Sequence, residues 1–508
     1  MDAVVTPSPS PERLSESQVQ AGLRGVLKDG LTTQAMLTLT GGAFLVDFAL
    51  QFGASNLLIG VLAAIPFLAQ LVQVPSIYLV EKFRARRLIC VLSSGFGRAF
   101  LVAAAAIPFF LAGGAALAAL TFCILIYALF AAISGCSWNS WMRDLIPLDR
   151  LGSFFAKRMA WMAGFGILLN LAAAVFVDWY DSRAFAAKVY SYSALIFAGG
   201  LAGMLGVYFI STIPEPAMAA ESRHLPFSIL LRQPFKDRNF KRLITFQGAW
   251  NFAINLAAPF FTVYMLKMLD LDMRVIISLQ VLSQVMNLLF FRIWGRLTDR
   301  FSNKSVLSVS APLYMICVFA FTFTTLPNKY VLTVPLLIFI HVFMGIATAG
   351  VTLATGNIGL KLAPQGQATA YLAANSLVNS LAAGLAPILG GNFVDLFSGY
   401  ALSWTLRWKT PAGEVAIETL DLQHWDFFFI LACLLGLYAM HRLAKVKEVG
   451  EVEEEIVILE LIAEARRFMF SLSTIAGLRY ALQFPFSLLA EGLKKRNSEN
   501  GRRQEPSG

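Results

Sequence analysis

Amide side chains recur inside apolar stretches of this sequence at helical spacing. Gln247, Asn251 and Asn255 stand at i, i+4 and i+8, Gln280, Gln284 and Asn287 at i, i+4 and i+7, and Asn375 and Asn379 at i and i+4. Each set shares one face of a helix. Lipid cannot satisfy amides, so such faces turn toward one another or toward water. Two readings stay open. One is hydrogen bonding between helices, worth about 0.6 kcal/mol per bond on average. The other is an aqueous cavity for a polar solute. Three stripes in one half of the chain exceed the needs of packing, which favours the cavity, with Trp250 beside it.

Asp47 is the carboxylate, and Arg98 the cation, placed deepest in apolar sequence. An ionisable group inside a membrane is a functional candidate by default. Burial would raise the aspartate pKa and let it take a proton near neutral pH. That would suit a proton-coupled carrier. A fixed Asp47–Arg98 ion pair that never titrates accounts for the same residues. His341 also falls in an apolar stretch, and a lone histidine on a helix reads first as a satisfied core residue.

These groups need helices to carry them across a bilayer. Of 508 residues, 57% are hydrophobic and 14% charged, too apolar for a soluble surface. Twelve runs reach the roughly 20 apolar residues needed to cross about 30 Å of hydrocarbon. They cover 32–52, 57–80, 88–111, 115–137, 159–179, 190–212, 243–266, 275–296, 305–325, 331–355, 369–394 and 426–444, and are numbered here as spans one to twelve. The net charge of +10 sits largely in short loops between spans, which argues for lipid rather than nucleic acid. Lys82, Arg84, Arg86, Arg87, Arg143, Arg150, Lys157, Arg158 and a basic 214–242 linker fall on one side, with fewer basic residues opposite. The positive-inside rule then places both termini in the cytoplasm of a cell with this protein in its plasma membrane.

The chain also repeats itself. Glu81-Lys82-Phe83 returns as Asp299-Arg300-Phe301 at an offset of 218; Asp144-Leu145-Ile146-Pro147 returns as Lys361-Leu362-Ala363-Pro364, and Phe176-Val177-Asp178 as Phe393-Val394-Asp395, both at 217. The expected organisation is therefore a segment 1–31, a six-helix bundle 32–213, the linker 214–242, a second bundle 243–444 and a tail 445–508. In the tail, 451–462 reads as an acidic helix and 468–493 as an amphipathic helix on the membrane surface, since Arg479 makes a further span costly. The polar opening to Ser17 holds no signal-type stretch, and the five cysteines read as small buried hydrophobes. Residues 397–425 form a loop on the side away from the termini, with Trp404 and Trp408.

No HExxH, GxSxG, phosphate-binding GxxxxGK[ST] or acidic metal cluster occurs, so neither an enzyme, a cofactor nor ATP-driven transport is indicated. The run Gly295-Arg296-Leu297-Thr298-Asp299-Arg300-Phe301-Ser302-Asn303-Lys304 resembles the GxLaDrxGrk signature of the major facilitator superfamily, with Ser302 at the second glycine. The first-half counterpart keeps the acid Glu81 but has Ile77 and Arg84 at the two glycine positions. The stretch Trp138-Asn139-Ser140-Trp141-Met142-Arg143-Asp144-Leu145-Ile146-Pro147, with Arg158 following, resembles a pattern of bacterial members without a settled substrate. Span five lacks the GPxxGG run of drug:proton antiporters.

The resemblance implies an all-α membrane protein of twelve transmembrane helices in two pseudo-symmetric bundles. It implies a mechanism in which the two bundles rock about a central site; the expected protein is a monomeric secondary transporter of a small organic solute, with a proton as the second partner if Asp47 titrates. The cytoplasmic gate would comprise Glu81, Arg86, Asp144, Gly295, Asp299 and Arg300, with Asp47 and Arg98 in coupling. A non-transporting scaffold or pigment-assembly factor on the same fold is the alternative, and a lipid-modifying enzyme a distant third.

Overall fold

In the computed structural model, residues 15–183, 187–216, 234–325, 330–364, 368–410 and 413–472 are described. Among them, eleven helices are long and apolar enough to cross a membrane, and a bent pair makes a twelfth. They form the all-α twelve-helix fold expected from the apolar runs. Both described ends of the chain lie on one side, called here the near side.

Span one begins earlier than hydropathy indicates. Its helix starts at Glu16, where Ser15 and Gln18 form a reciprocal capping box, and runs to Thr40. It resumes from Gly42 to Gln51 after a break at Gly41. Lys28 and Asp29 hide this beginning from an apolar-run criterion, yet Val26 is fully buried among Trp141, Leu145 and Ile213. Packing supplies there what hydropathy lacks.

Span two is the bent pair, with 47° between Asn56–Val72 and Pro75–Phe83. Its far half, Asn56–Ala69, lies along span eleven, Ala368–Leu396. Its near half, Gln73–Phe83, leaves that partner and packs on span four, Gly113–Leu145. Glycines explain the close part. A Cβ on Gly60 would strike the Pro387 carbonyl, and one on Gly391 the Asn56 carbonyl. At the repeat-related positions Ile277 and Ala174, the contact between spans five and eight has side chains in place of both glycines.

Arg84 caps the near end of span two with φ 49°, in the left-handed region. Glycine pays least for that conformation, which explains the glycine of the signature. Ser302, its counterpart, is extended and caps span nine by accepting from the Ser305 amide. The second half therefore needs no glycine there.

Two elements lie outside the spans. A two-stranded antiparallel hairpin, β1 (Ala401–Thr410) and β2 (Gly413–Gln423), replaces the loop expected between spans eleven and twelve. After span twelve, His424–Ala444, a tail helix runs from Glu454 to Leu472. The tail docks on the loop after span eight: Lys304 pairs with Glu451 at 2.9 Å, Arg296 with Glu464 at 2.6 Å, and Arg300 with Glu460. Lys361 pairs with Glu448 at 2.9 Å. The amphipathic helix expected over 468–493 lies mostly outside the described residues.

The glycine contacts predict a selective loss of stability. Gly60→Ala and Gly391→Ala should each lower the thermal midpoint, by an overpacking cost of about 1–3 kcal/mol. Gly164→Ala, which meets open space, should leave it unchanged. Equal midpoints for all three would contradict the packing described.

Candidate functional site

Two of the three amide stripes meet. Gln247 on span seven donates through Nε2 to the Thr355 carbonyl of span ten at 2.7 Å. Its Oε1 accepts from Asn375 Nδ2 at 2.5 Å and Asn379 Nδ2 at 3.3 Å, both on span eleven. The backbone carbonyl fixes this orientation. A carbonyl accepts only, so Gln247 must turn its nitrogen to Thr355 and its oxygen to the asparagines. Both asparagines then present their nitrogens to Gln247. Their Oδ1 atoms are left buried without a hydrogen-bond partner among the described residues.

This cluster borders a cavity of about 390 Å³, lined by Asn251, Thr352, Thr355, Ser376 and Ser380 as well, and by Phe67 from the first half. The cavity thus lies where the two bundles face each other, and none of its lining residues is charged. Asn251 and Asn255 satisfy their amide nitrogens on the carbonyls of Gln247 and Asn251, one turn back. Trp250 does not join them. It is buried in the core of the second bundle, stacked on Phe246 and set edge-on to Tyr314.

The third stripe borders a separate cavity of about 340 Å³. Gln280, Gln284 and Asn287 line it with Thr262 and His341. Gln280 donates to Thr262 at 3.2 Å, and His341 Nδ1 sits 2.8 Å from the Leu337 carbonyl. Period alone puts residues on one face. It does not say which neighbour that face meets.

Arg98 and Asp47 do not pair. Arg98 donates to the Gly203 carbonyl at 2.6 Å and to Thr33 at 3.1 Å, and its charge partner is Asp29 at 3.9 Å. Arg158 reaches the other Asp29 oxygen at 3.9 Å and lies 5.1 Å over the Trp138 ring. Asp29, 3% exposed, was hidden from the sequence reading because it precedes the first apolar run. These residues border a 260 Å³ cavity inside the first bundle with Tyr127, Ser94 and Ser134. Asp47 instead accepts from Tyr192 and from Gln51, the latter at 3.0 Å, and has Lys188 at 3.5 Å. Asp47 is not among the residues lining the three cavities.

At the near side, Arg86 is fully buried and binds Asp144 at 2.5 Å. It also donates to the Pro216 carbonyl at 2.7 Å, while Glu215 accepts from the Arg86 and Arg87 amides at 2.7 and 3.2 Å. Trp141 donates to Pro214 at 3.0 Å. The tryptophan-rich motif of span four therefore ties spans three, four and five to the start of the linker. In the second half Asp299 is exposed, Gly295 is partly buried beside Leu353, and Arg300 is taken by Glu460 of the tail. Glu81 is partly buried at the end of span two.

At the far side, the repeated aspartates reach across between the bundles. Asp395, ending span eleven, accepts from the Asn56 and Leu57 amides at 3.2 and 2.7 Å and from Asn56 Nδ2 at 2.8 Å. Asp178, ending span five, meets Arg274 at the start of span eight at 3.1 Å. Leu57 and Arg274 are themselves 217 residues apart.

Two bundles related in sequence, and closed by equivalent contacts, match a family profile. The Major Facilitator Superfamily profile aligns with residues 30–387 and 283–482. The chain belongs to the Major Facilitator Superfamily. A search of curated proteins returns no match. Among solved structures it is similar to the nucleoside transporter NupG, at 14% identity and TM-score 0.61, covering 85% of this chain and 100% of that one. It is similar to a D-xylose-proton symporter at 14% identity and TM-score 0.54, covering 86% and 99%. A bacterial homolog of the human lysosomal transporter Spinster, in an inward-facing state, shares 14% identity and TM-score 0.54, covering 90% and 98%. At such identities these likenesses show the fold. This superfamily member is a membrane transporter rather than an enzyme.

The amide cluster makes Gln247 the member on which others depend. Gln247→Leu strips a donor from Thr355 and an acceptor from two asparagines, each loss costing about 1–3 kcal/mol where the group stays buried. The thermal midpoint should fall well below that of Asn255→Leu, whose side chain, among the described residues, bonds within its own helix. A smaller fall for Gln247→Leu would contradict the cluster.

Proposed function

We propose that this transporter carries a small, neutral, hydrogen-bonding organic solute by alternating access, and that the described state is open toward the near side. The observation that carries the reading is the uncharged, amide-lined cavity between the bundles. Its polar wall offers acceptors and hydroxyls, which suit a ligand bearing hydroxyl or N–H donors. A charged solute would be left without a counter-ion there. The names of two similar structures, a nucleoside transporter and a D-xylose-proton symporter, agree with that chemistry.

The arrangement of the spans supports the rest. Contacts between the bundles at Gly60, Gly391, Asp395 and Arg274 all fall on the far half, while span two bends away from span eleven on the near half. Rocking would break the far contacts and bring the signature loops of Glu81 and Asp299 toward the opposite bundle. Release of Arg86 from Asp144 or Arg300 from Glu460 would accompany it. Asp47, buried against Tyr192 and Lys188, is the proposed proton-coupling group, with Arg98 held by Asp29 as the fixed charge. With its basic near-side loops, the near side is proposed to be cytoplasmic and the membrane the plasma membrane.

Proteoliposome flux tests this directly. Pentoses and nucleosides should enter, and Asn379→Ala should abolish uptake while the protein stays monodisperse. Asp47→Asn should remove solute-driven proton movement but keep solute exchange. Uptake confined to anionic or cationic solutes would overturn the neutral-solute reading, and unchanged proton movement in Asp47→Asn would overturn the coupling role.

A further inference from the structure

The hairpin between spans eleven and twelve has a surface that the transport cycle does not use. Its register sets Leu402 opposite Leu422, Trp404 opposite Leu420 and Trp408 opposite Val415. The alternate register positions hold polar pairs, Ser403 with Asp421, Thr405 with Glu418 and Lys409 with Glu414. Directly opposed residues of an antiparallel pair share a face. In β2 the apolar positions change parity, from 415 to 420 and 422, and the irregularity between Trp404 and Thr405 falls at that change. An extra residue in one strand shifts its alternation by one, so this bulge keeps the apolar set together. In β1, Leu402, Trp404 and Trp408 are 55%, 70% and 64% exposed.

Both strands are rooted at the bilayer. β1 starts at Ala401, just beyond the end of span eleven at Leu396, and β2 passes directly into span twelve at His424. Ten residues of antiparallel strand extend about 34 Å. A rod of that length, fixed at membrane level by both ends, either holds an apolar face in water or lays it on the membrane. Its backbone edges bear on the depth. A two-stranded hairpin keeps an outer row of backbone groups on each strand, and hydrocarbon cannot satisfy them. The headgroup region can, and it is where tryptophan concentrates. Leu396 and Tyr400 beside the hairpin are exposed as well.

We propose that the hairpin lies along the far-side membrane surface, with its Trp404 and Trp408 face at the headgroup–acyl boundary and its charged face in water. The occupant is phospholipid, and no protein partner is required. The hairpin would then brace the far ends of spans eleven and twelve, independent of the solute carried.

Full-length protein in phosphatidylcholine vesicles tests this. The tryptophan emission of Trp404→Phe/Trp408→Phe is subtracted from that of the unaltered chain, so that the difference reports these two rings. Replacing the lipid by one brominated near the headgroup should remove most of the difference signal. Iodide on both sides of the membrane should remove little of it. Loss to iodide with none to bromolipid would overturn the proposal, leaving the face in water. Protection from both quenchers would also overturn it, because a second copy or the body of the protein would then cover the face. The phenylalanine variant keeps apolar rings, and a matching elution profile establishes that it is folded before the spectra are compared.

Discussion

The contact on which the rest of this structure depends is the reach of Asp395 across the bundles to the amino end of span two. A carboxylate at a helix N-terminus meets unpaired backbone N–H groups and the positive end of the helix dipole. Asp395 takes two such amides and the Asn56 side chain. Below it, Gly60 and Gly391 let the two backbones touch. Asp178 makes the matching contact with Arg274, without either glycine below. Sequence repetition thus becomes a closure with unequal halves, tight along spans two and eleven and looser along spans five and eight.

The need to satisfy polar groups away from water governs the interior. Gln247 is held by Thr355 and two asparagines, and Arg98 by Gly203, Thr33 and Asp29, each within its own bundle. Among the buried side-chain oxygens without a hydrogen-bond partner in the described residues, those of Asn375 and Asn379 stand beside the cavity between the bundles. A polar group left over at an interface is costly unless a ligand or water completes it. That cost is what a solute with donors would relieve.

Much of this was legible in the sequence. Apolar runs placed the spans, and the offset of 217 picked out Asp178 and Asp395 as equivalent before any contact was known. Period brought Gln247, Asn375 and Asn379 forward as candidates. Several features were not legible, each for a physical reason. Asp29 stood outside the first apolar run, because a helix whose charges are paired inside a bundle need not be apolar. Trp250 follows Gln247 by three residues, yet its bulk carried it into the core. Arg300 sits beside Asp299 in the signature, but an acid 160 residues later in the tail takes it. From sequence the hairpin reads as a loop because β2 changes the parity of its apolar positions at the bulge, although β1 alternates throughout.

The central claim is that the far-side contacts hold the transporter open on the other side. Paired spin labels at Gln51 and Ser398 report the far ends of spans one and eleven, and labels at Lys82 and Leu360 report the near ends of spans two and ten. In Asp395→Ala the far pair should lengthen and the near pair should shorten, relative to the unaltered contact, in the same lipid vesicles. Distances unchanged in both pairs, or lengthening in both, would contradict it.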